Sequence, residues 1–391
     1  MSTMLLHVVN TTLAVMEENV TTTMPIVDLI AATPGHSMEN FSENFSKVHG
    51  YIADAICIFG VISNIMNVIV LTRRHMITPT NCILTALAIA DFLTMLVYLV
   101  YATYFYIATE PRPDGHHSQG WMYFILIQNH FIITCHNMAM WFTVSLAVFR
   151  YIFVCHHVIG NRLCSLNRAI LTIIIITIAT IVVCVPNFFL YQVVKLSDIG
   201  HNITGYWIWD SELVMEYDFY KVAIFWFFGV IMKVAPCILL TLLSSMIILT
   251  MHQASKRRVR LLQQTRTSDH DINHEHNRTT WMLVSVVLFF VITEMPQGIL
   301  AMVSGLNERF FTNIYSNLGD VMDILVLLNS AVNFILYCIM SQQFRDTFKS
   351  LFLMNWMCPT RQYGKVNGNN NGSHSNGVSH YKSVTTEVTM L

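Results

Sequence analysis

Ala169-Ile170-Leu171-Thr172-Ile173-Ile174-Ile175-Ile176-Thr177-Ile178-Ala179-Thr180-Ile181-Val182-Val183-Cys184-Val185 contains no charged residue. A helix at the surface of a soluble protein carries charge on one face in every turn or two. This stretch carries none, and with its flanks it approaches the roughly 20 apolar residues that cross a hydrocarbon core. Working outward in both directions, stretches of the same kind occupy residues 51–72, 82–107, 121–155, 169–191, 222–251, 281–305 and 314–340. The composition agrees, at 54% hydrophobic and 12% charged over 391 residues. The fold expected is all-α, a seven-transmembrane helix bundle.

Basic residues orient such a bundle, because Lys and Arg collect on the cytoplasmic side. With the N-terminus outside, the inner segments hold Arg73, Arg74, Arg150, Arg162, Arg168, Lys256, Arg257, Arg258, Arg260, Arg266, Arg278, Arg345, Lys349, Arg361, Lys365 and Lys382. The outer segments hold only Lys47, Arg112, Lys195 and Arg309, while Lys221 and Lys233 fall in or beside the fifth span. Acceptor sequons for N-glycosylation point the same way, at Asn10, Asn19, Asn40 and Asn44 before the first span and Asn202 between the fourth and fifth. The expectation is a multi-pass plasma-membrane protein with an extracellular N-terminus. The start lacks a basic region followed by an unbroken apolar core, so the first span is expected to act as the targeting signal. A net charge of -1 conceals the asymmetry, and nothing in it points to nucleic acid.

Four segments follow from this layout: an extracellular, glycosylated tail at 1–50, the bundle at 51–341, an amphipathic interfacial helix at 342–354 and a disordered cytoplasmic tail at 355–391. The interfacial helix rests on Phe344, Phe348, Leu351 and Phe352 lying on one face with Arg345 and Lys349 opposite. Cys358 just beyond it is a candidate for palmitoylation, the alternative being a free thiol. The nine cysteines all lie in spans or on the cytoplasmic side, so the outer loops are expected to be held by packing, glycan or ligand rather than by disulfides. No internal repeat or matched pair of broken spans argues for the common transporter plan.

Polar residues inside spans are costly without a partner or a purpose. Asn64 lies in span one, Asp91 in span two, Arg150 at the inner end of span three, Pro236 in span five, Pro296 in span six, and Asn333 with Tyr337 in span seven. This order resembles that of the rhodopsin-like G-protein-coupled receptors, over roughly residues 51–354. Departures from that pattern are equally specific: Phe149 replaces the acid before Arg150-Tyr151, Glu294 replaces the aromatic two residues before Pro296, Phe334 replaces the proline after Asn333, and the outer cysteine of span three is missing. With Val70-Leu71-Thr72-Arg73-Arg74, Trp141 through Tyr151, Thr293-Glu294-Met295-Pro296-Gln297-Gly298 and Leu328 through Phe334, the set looks like that of invertebrate myosuppressin-type receptors for FMRFamide-like peptides. The resemblance implies a receptor for an amidated neuropeptide, with span-six movement activating a heterotrimeric G protein. It implies no enzyme and no cofactor.

Position sets two ligand classes aside. Residues 323–337 contain no Lys to carry retinal, and Ile132 occupies the place where amine receptors of similar fold carry an acid. The candidate pocket instead offers Tyr98, Tyr101 and Tyr104, then Gln128, Asn129, His130 and His136, then Asp320 and Asp323. Acids beside aromatic rings suit a peptide with a C-terminal Arg-aromatic amide, since a carboxylate takes the guanidinium bidentately and tyrosines pack the ring. For Asp320 the bland alternative is a solvated rim charge; Asp323, one turn deeper between Met322 and Ile324, is expected to contact the ligand or the bundle. Glu294 sits on the order of 15 Å from the outer end of span six at 1.5 Å per residue, and Lys233 lies at similar depth in span five. They are expected to form one buried ion pair that acts as a conformational latch; a protonated Glu294 or a snorkelling Lys233 are the alternatives.

Below the pocket, Asp91, Asn64, Asn329 and Asn333 are expected to form a polar network, where the resemblance implies a sodium or water site. Arg150, Tyr151, Pro296, Asn333 and Tyr337 are the residues it implies for activation and G-protein coupling. Because Phe149 leaves Arg150 without its usual acid neighbour, basal activity is expected. Lys256, Arg257, Arg258 and Arg260 form a basic patch suited to lipid headgroups or the G protein, although positive-inside bias explains them equally. Asp269-His270-Asp271 and His274-Glu275-His276 sit in a polar loop without fixed geometry, so no metal site is assigned. Thr389-Met390-Leu391 fits capture by a PDZ domain, and the Ser and Thr residues of 373–389 would, by family resemblance, serve arrestin. A receptor that binds peptide without signalling, or a transporter or channel, remains as an alternative reading.

Overall fold

The computed structural model describes residues 34–108, 118–156, 160, 162–195, 205–262, 270–304, 310 and 314–354, by backbone alone at 34–37, 218, 255, 258–286, 340 and 353–354. Among them are 7 helices long and apolar enough to cross a membrane. These are α1 (Pro34–Leu71), α2 (Pro79–Ala102, continued by a wider turn Thr103–Ala108), α3 (Gln119–Cys155) and α4 (Leu166–Cys184, tightened into Val185–Phe189). A fifth, α5, runs through Asp218–Phe227, a π-helical segment Phe228–Val234 and Ala235–Leu262. The last spans are α6 (His270–Ser304) and α7 (Gly319–Met340), and a short α8 (Gln342–Phe348) continues into Lys349–Met354. Seven spans and a following amphipathic helix match the all-α expectation.

Local chemistry sets the boundaries. Thr78 caps α2, its hydroxyl accepting from Asn81 N at 3.1 Å, and Pro79 starts the helix where a missing N–H costs nothing. Ser341 caps α8 in the same way, accepting from Phe344 N at 3.1 Å. The π-helical widening of α5 ends just before Pro236, whose ring lacks the N–H that Met232 O would otherwise accept. That widening changes which residues face the bundle, and Lys233 at its end is buried.

Many large apolar side chains face outward, most densely on α4, where Leu171, Ile174, Ile175, Ile178, Ile181 and Val182 are exposed. In water this would be an aggregation surface; in a bilayer it is the lipid-facing stripe. Inside, one apolar cluster fills the outer half around Tyr98, Tyr101, Met122, Ile132, Phe228 and Met232. Another fills the inner half around Val70, Leu84, Phe142, Phe149 and Phe344.

Two features depart from the sequence expectation. The first helix begins at Pro34, well inside the segment assigned to the tail, because Phe41, Phe45 and His49 carry the helical spacing outward; Phe41 and Phe45 stack at 5.7 Å. The outer loop between α4 and α5 forms an antiparallel hairpin, β1 (Tyr191–Lys195) with β2 (Tyr206–Asp210), pairing Tyr191 with Asp210 and Lys195 with Tyr206. Trp207 and Ile208 are buried beneath it. The hairpin is tied down by Lys221, whose Nζ lies 2.8 Å from Asp210 Oδ2, and by the Tyr220 hydroxyl donating to Pro186 O at 2.7 Å. The eight cysteines among the described residues are all free thiols. Packing and one ion pair therefore do the work that a disulfide does elsewhere.

Candidate functional site

A cavity with an open mouth lies in the outer half of the bundle. Its wall includes Tyr98 from α2, Ile133 and His136 from α3, Phe228 and Met232 from α5, Gln297 from α6 and Asp323 from α7. Ile132 also lines it, where an amine-binding acid would stand. Apolar walls with a few convergent polar groups are what a specific ligand site needs.

At its floor three helices bring charge together. Lys233 Nζ donates to Glu294 Oε2 at 2.7 Å and to His136 Nε2 at 2.8 Å, and His136 Nε2 stands 3.2 Å from the same carboxylate oxygen. The other oxygen, Oε1, accepts from Asn329 Nδ2 of α7 at 3.0 Å. Glu294 is 0% exposed, Lys233 8% and His136 5%. A lone carboxylate there would be prohibitive; paired with an ammonium and hydrogen-bonded on both oxygens, it is satisfied. The expected Lys233–Glu294 pair is present in this arrangement, and His136, read from sequence only as a wall residue, is its third member.

The close approach of α5 and α6 makes the pair possible. A Cβ on Gly298 would meet Lys233 Cβ at 2.8 Å, and one on Gly229 would meet Met302 Cγ at 2.8 Å. Neither neighbour is the far end of a flexible chain, so only glycine lets the two backbones come this near. The sequence signal for this existed in Gly298, two residues after Pro296, but its partner Gly229 carried no mark of its own.

Above the floor, the Tyr98 hydroxyl donates to Asp323 Oδ2 at 3.5 Å and meets His49 Nε2 at 2.9 Å. Tyr106 donates to Asp320 Oδ1 at 2.8 Å, and its ring lies 4.6 Å from that of His49. Tyr101 is fully buried with its ring edge-on to Tyr98 at 5.6 Å. Thus Asp323 and Tyr98 reach the cavity together, whereas Asp320, Tyr101, Gln128 and Asn129 are buried but are not among its lining residues. Tyr104 stacks on Trp121 at 3.4 Å, and His130 meets Asn187 through Nδ1 at 3.1 Å; both support neighbouring helices rather than the cavity. His49 was missed because its segment looked like tail.

The mid-depth polar residues divide between two neighbours. Asn333 Nδ2 donates to Asp91 Oδ2 at 2.7 Å, and Asn64 Nδ2 donates to Ser330 O at 3.1 Å. Asn329, expected in the same network, reaches Glu294 instead. It stands one turn outward of Asn333 on α7, so each asparagine meets the helix at its own depth. Asn329 nevertheless lines, with Asp91 and Asn333, a second cavity, so charged floor and inner network border one another.

At the inner end Arg150 is half-buried with Tyr337 as its electrostatic neighbour, and Tyr151 lies edge-on to His156 at 5.7 Å. Phe149 is buried in the inner apolar cluster, and its carbonyl accepts from Cys164 Sγ at 3.6 Å. Pro296 sits inside α6, two residues after Glu294. Asn40 and Asn44 are exposed on the outward extension of α1. Asn10, Asn19, Asn202, Cys358 and Thr389-Met390-Leu391 lie outside the described residues.

Seven spans thus enclose an outer cavity, with a chain of polar groups leading inward from its floor. The profile of the family described as "Serpentine type 7TM GPCR chemoreceptor Srw" matches residues 51–355, and the chain belongs to that family of seven-transmembrane G-protein-coupled receptors. It is similar to the G-protein coupled receptor dmsr-1 of Caenorhabditis elegans, 29% identical over 81% of this chain and 70% of that one. It is also similar to the Sex peptide receptor of Drosophila melanogaster, at 29% over 82% of this chain and 77% of the other. The FMRFamide receptor of Drosophila melanogaster is 24% identical over 78% of this chain and 54% of its own length. The chain is a multi-pass membrane protein, and two of these relatives are named as receptors for sex peptide and for FMRFamide.

Proposed function

We propose that the protein is a plasma-membrane neuropeptide receptor, N-terminus outside, whose agonist is a peptide ending in an Arg-aromatic amide. The observation that carries this reading is the cavity, in which Asp323 and Tyr98 stand beside apolar walls with Lys233, paired to Glu294, at the floor. A guanidinium would be taken by Asp323, and an aromatic ring would pack against Phe228, Met232 and Ile133. Similarity to receptors named for sex peptide and for FMRFamide supports the ligand class.

Agonist entering the chamber would rearrange the Lys233–His136–Glu294 cluster, and α6 would swing about Pro296 to open the inner face at Arg150 to the G protein. Arrestin, a PDZ partner at Thr389-Met390-Leu391, lipid contact at the basic inner patch, palmitoylation at Cys358 and glycans at Asn40 and Asn44 accompany this proposal as roles for the remaining motifs. The test is ligand-driven nucleotide exchange on G proteins in membranes from cells expressing the full chain. Peptides ending in Arg-Phe-amide should drive exchange, and Asp323→Asn should lower their potency by on the order of tenfold or more, a lost charge-assisted contact being the reason. Activation by an unrelated ligand with no response to any such peptide would overturn the reading.

A further inference from the structure

The outward extension of α1 is fastened to the wide turn at the outer end of α2. A Cβ on Gly50 would run into Tyr106 Cβ, and the His49 ring lies 4.6 Å from the ring of Tyr106. About one turn inward, Thr103 Oγ1 donates to Asp54 Oδ2 at 3.0 Å. His49 itself is 0% exposed and is not among the residues that line the cavity. Its Nε2 nevertheless lies 2.9 Å from the hydroxyl of Tyr98, which does line it. Asp323, on the same wall, places Oδ2 3.5 Å from that hydroxyl.

The phenol of Tyr98 has one proton and stands between these two groups. If the proton went to His49 Nε2, lone pairs of the phenol would face a carboxylate oxygen and be repelled. With Nε2 protonated, His49 donates to the phenol oxygen, Tyr98 donates to Asp323, and both contacts attract. Donation therefore runs from His49 to Tyr98 to Asp323. Bonds in series polarise one another, so the second gains from the first. At 3.5 Å the second bond is near its long limit, which makes it sensitive to where the phenol oxygen is held.

We propose that His49 is a positioning residue for ligand recognition, holding the Tyr98 hydroxyl against Asp323 so that the carboxylate is pre-oriented for a cationic side chain of the agonist. The inference rests on the reading above in which Asp323 takes the Arg guanidinium, and it adds the outer extension of α1 to the recognition apparatus. His49 acts only through Tyr98. A carboxylate anchored through one oxygen has less freedom to lose when the guanidinium arrives, which is the benefit of pre-organisation. A histidine that merely packed against Tyr106 would instead matter equally for charged and uncharged agonists.

The experiment measures nucleotide exchange in membranes containing the full chain, normalised to surface receptor. The probes are Phe-Met-Arg-Phe-amide and the same peptide with citrulline, a neutral isostere, in place of Arg. The natural chain should prefer Arg by on the order of tenfold or more, the effect of a charge-assisted contact. His49→Phe keeps a ring beside Tyr106 but no donor, and should cut that preference about three- to tenfold by weakening the Arg peptide alone. His49→Gln, which keeps an N–H, should retain it. Tyr98→Phe should cut it to a similar extent, and adding His49→Phe to that variant should change nothing more. An equal loss for both peptides in His49→Phe, or a Gln variant no better than the Phe one, overturns the positioning role. Full preference for Arg in Tyr98→Phe overturns it even if the His49 variants fail to reach the membrane, and leaves the Asp323 reading intact. A natural chain that answers both peptides alike, or neither, overturns the Asp323 reading and the inference with it.

Discussion

The floor of the outer cavity and the inner end of α3 each hold a cation in a bundle of apolar helices, Lys233 buried and Arg150 half-buried, and treat it in opposite ways. Lys233 has Glu294 at 2.7 Å and His136 at 2.8 Å, with Asn329 completing the carboxylate. Arg150 is preceded by Phe149, which is absorbed into the inner apolar cluster, and its electrostatic neighbour is the phenol of Tyr337. Among the described side chains, the ion pair between α5 and α6 sits at mid-span, beside the outer cavity. Lys233 and His136 both line that cavity, so an occupant would meet them.

The most severe way to break this contrast is to remove one member of the floor pair. Glu294→Gln leaves Lys233 without its counter-charge and Lys233→Met leaves Glu294 without its own, each costing about 3–5 kcal/mol by the behaviour of split buried pairs. Both variants should show altered basal and agonist-driven exchange, and the double variant should fall well short of the sum. Additive effects in that cycle would sink the latch.

Next in size is the glycine contact that lets α5 and α6 meet. Gly298→Ala puts a methyl 2.8 Å from Lys233 Cβ, and forcing such a contact costs about 1–3 kcal/mol. Agonist potency should drop and thermal stability of purified receptor should fall. A variant indistinguishable from the natural chain in both would mean that the two helices do not pack this closely.

The contrast can also be erased from the other side. Phe149→Asp gives Arg150 an acid next to it in the chain and should lower basal exchange by a factor of a few, an ordinary ion-pair effect for a partly buried site. Unchanged basal exchange would separate the missing acid from constitutive signalling. Smallest of all is the hairpin tether: Lys221 and Asp210 are each about a third exposed, so Asp210→Asn should cost only about 0.2–1 kcal/mol. Its effect should appear as faster agonist dissociation, measured with labelled peptide.

Much of the molecule was legible because a bilayer imposes a coarse and strict rule. A residue such as Ile174 or Ile178 needs no partner in lipid, so runs of them state the number of spans directly. Asp91, Glu294, Lys233 and Asn333 stood out for the converse reason, each being costly in hydrocarbon unless answered. His49 and Gly229 did not stand out. A histidine in a polar tail and a glycine in an apolar span break no rule by themselves. Their importance comes from what lies opposite: Tyr98 at 2.9 Å for His49 and α6 for Gly229.

By itself, then, the sequence determined the seven spans, the family resemblance and which buried groups require partners, because hydropathy and charge act through the solvent and can be read one residue at a time. Only the tertiary structure decided who the partners are. It gave Asn329 to Glu294 rather than to Asp91, added His136 to the Lys233–Glu294 pair, and closed the outer end with a hairpin held by Lys221 and Asp210. Those choices depend on helix rotation, on the widened turn in α5 and on the approach of two glycines, which are properties of packed helices and not of any one span.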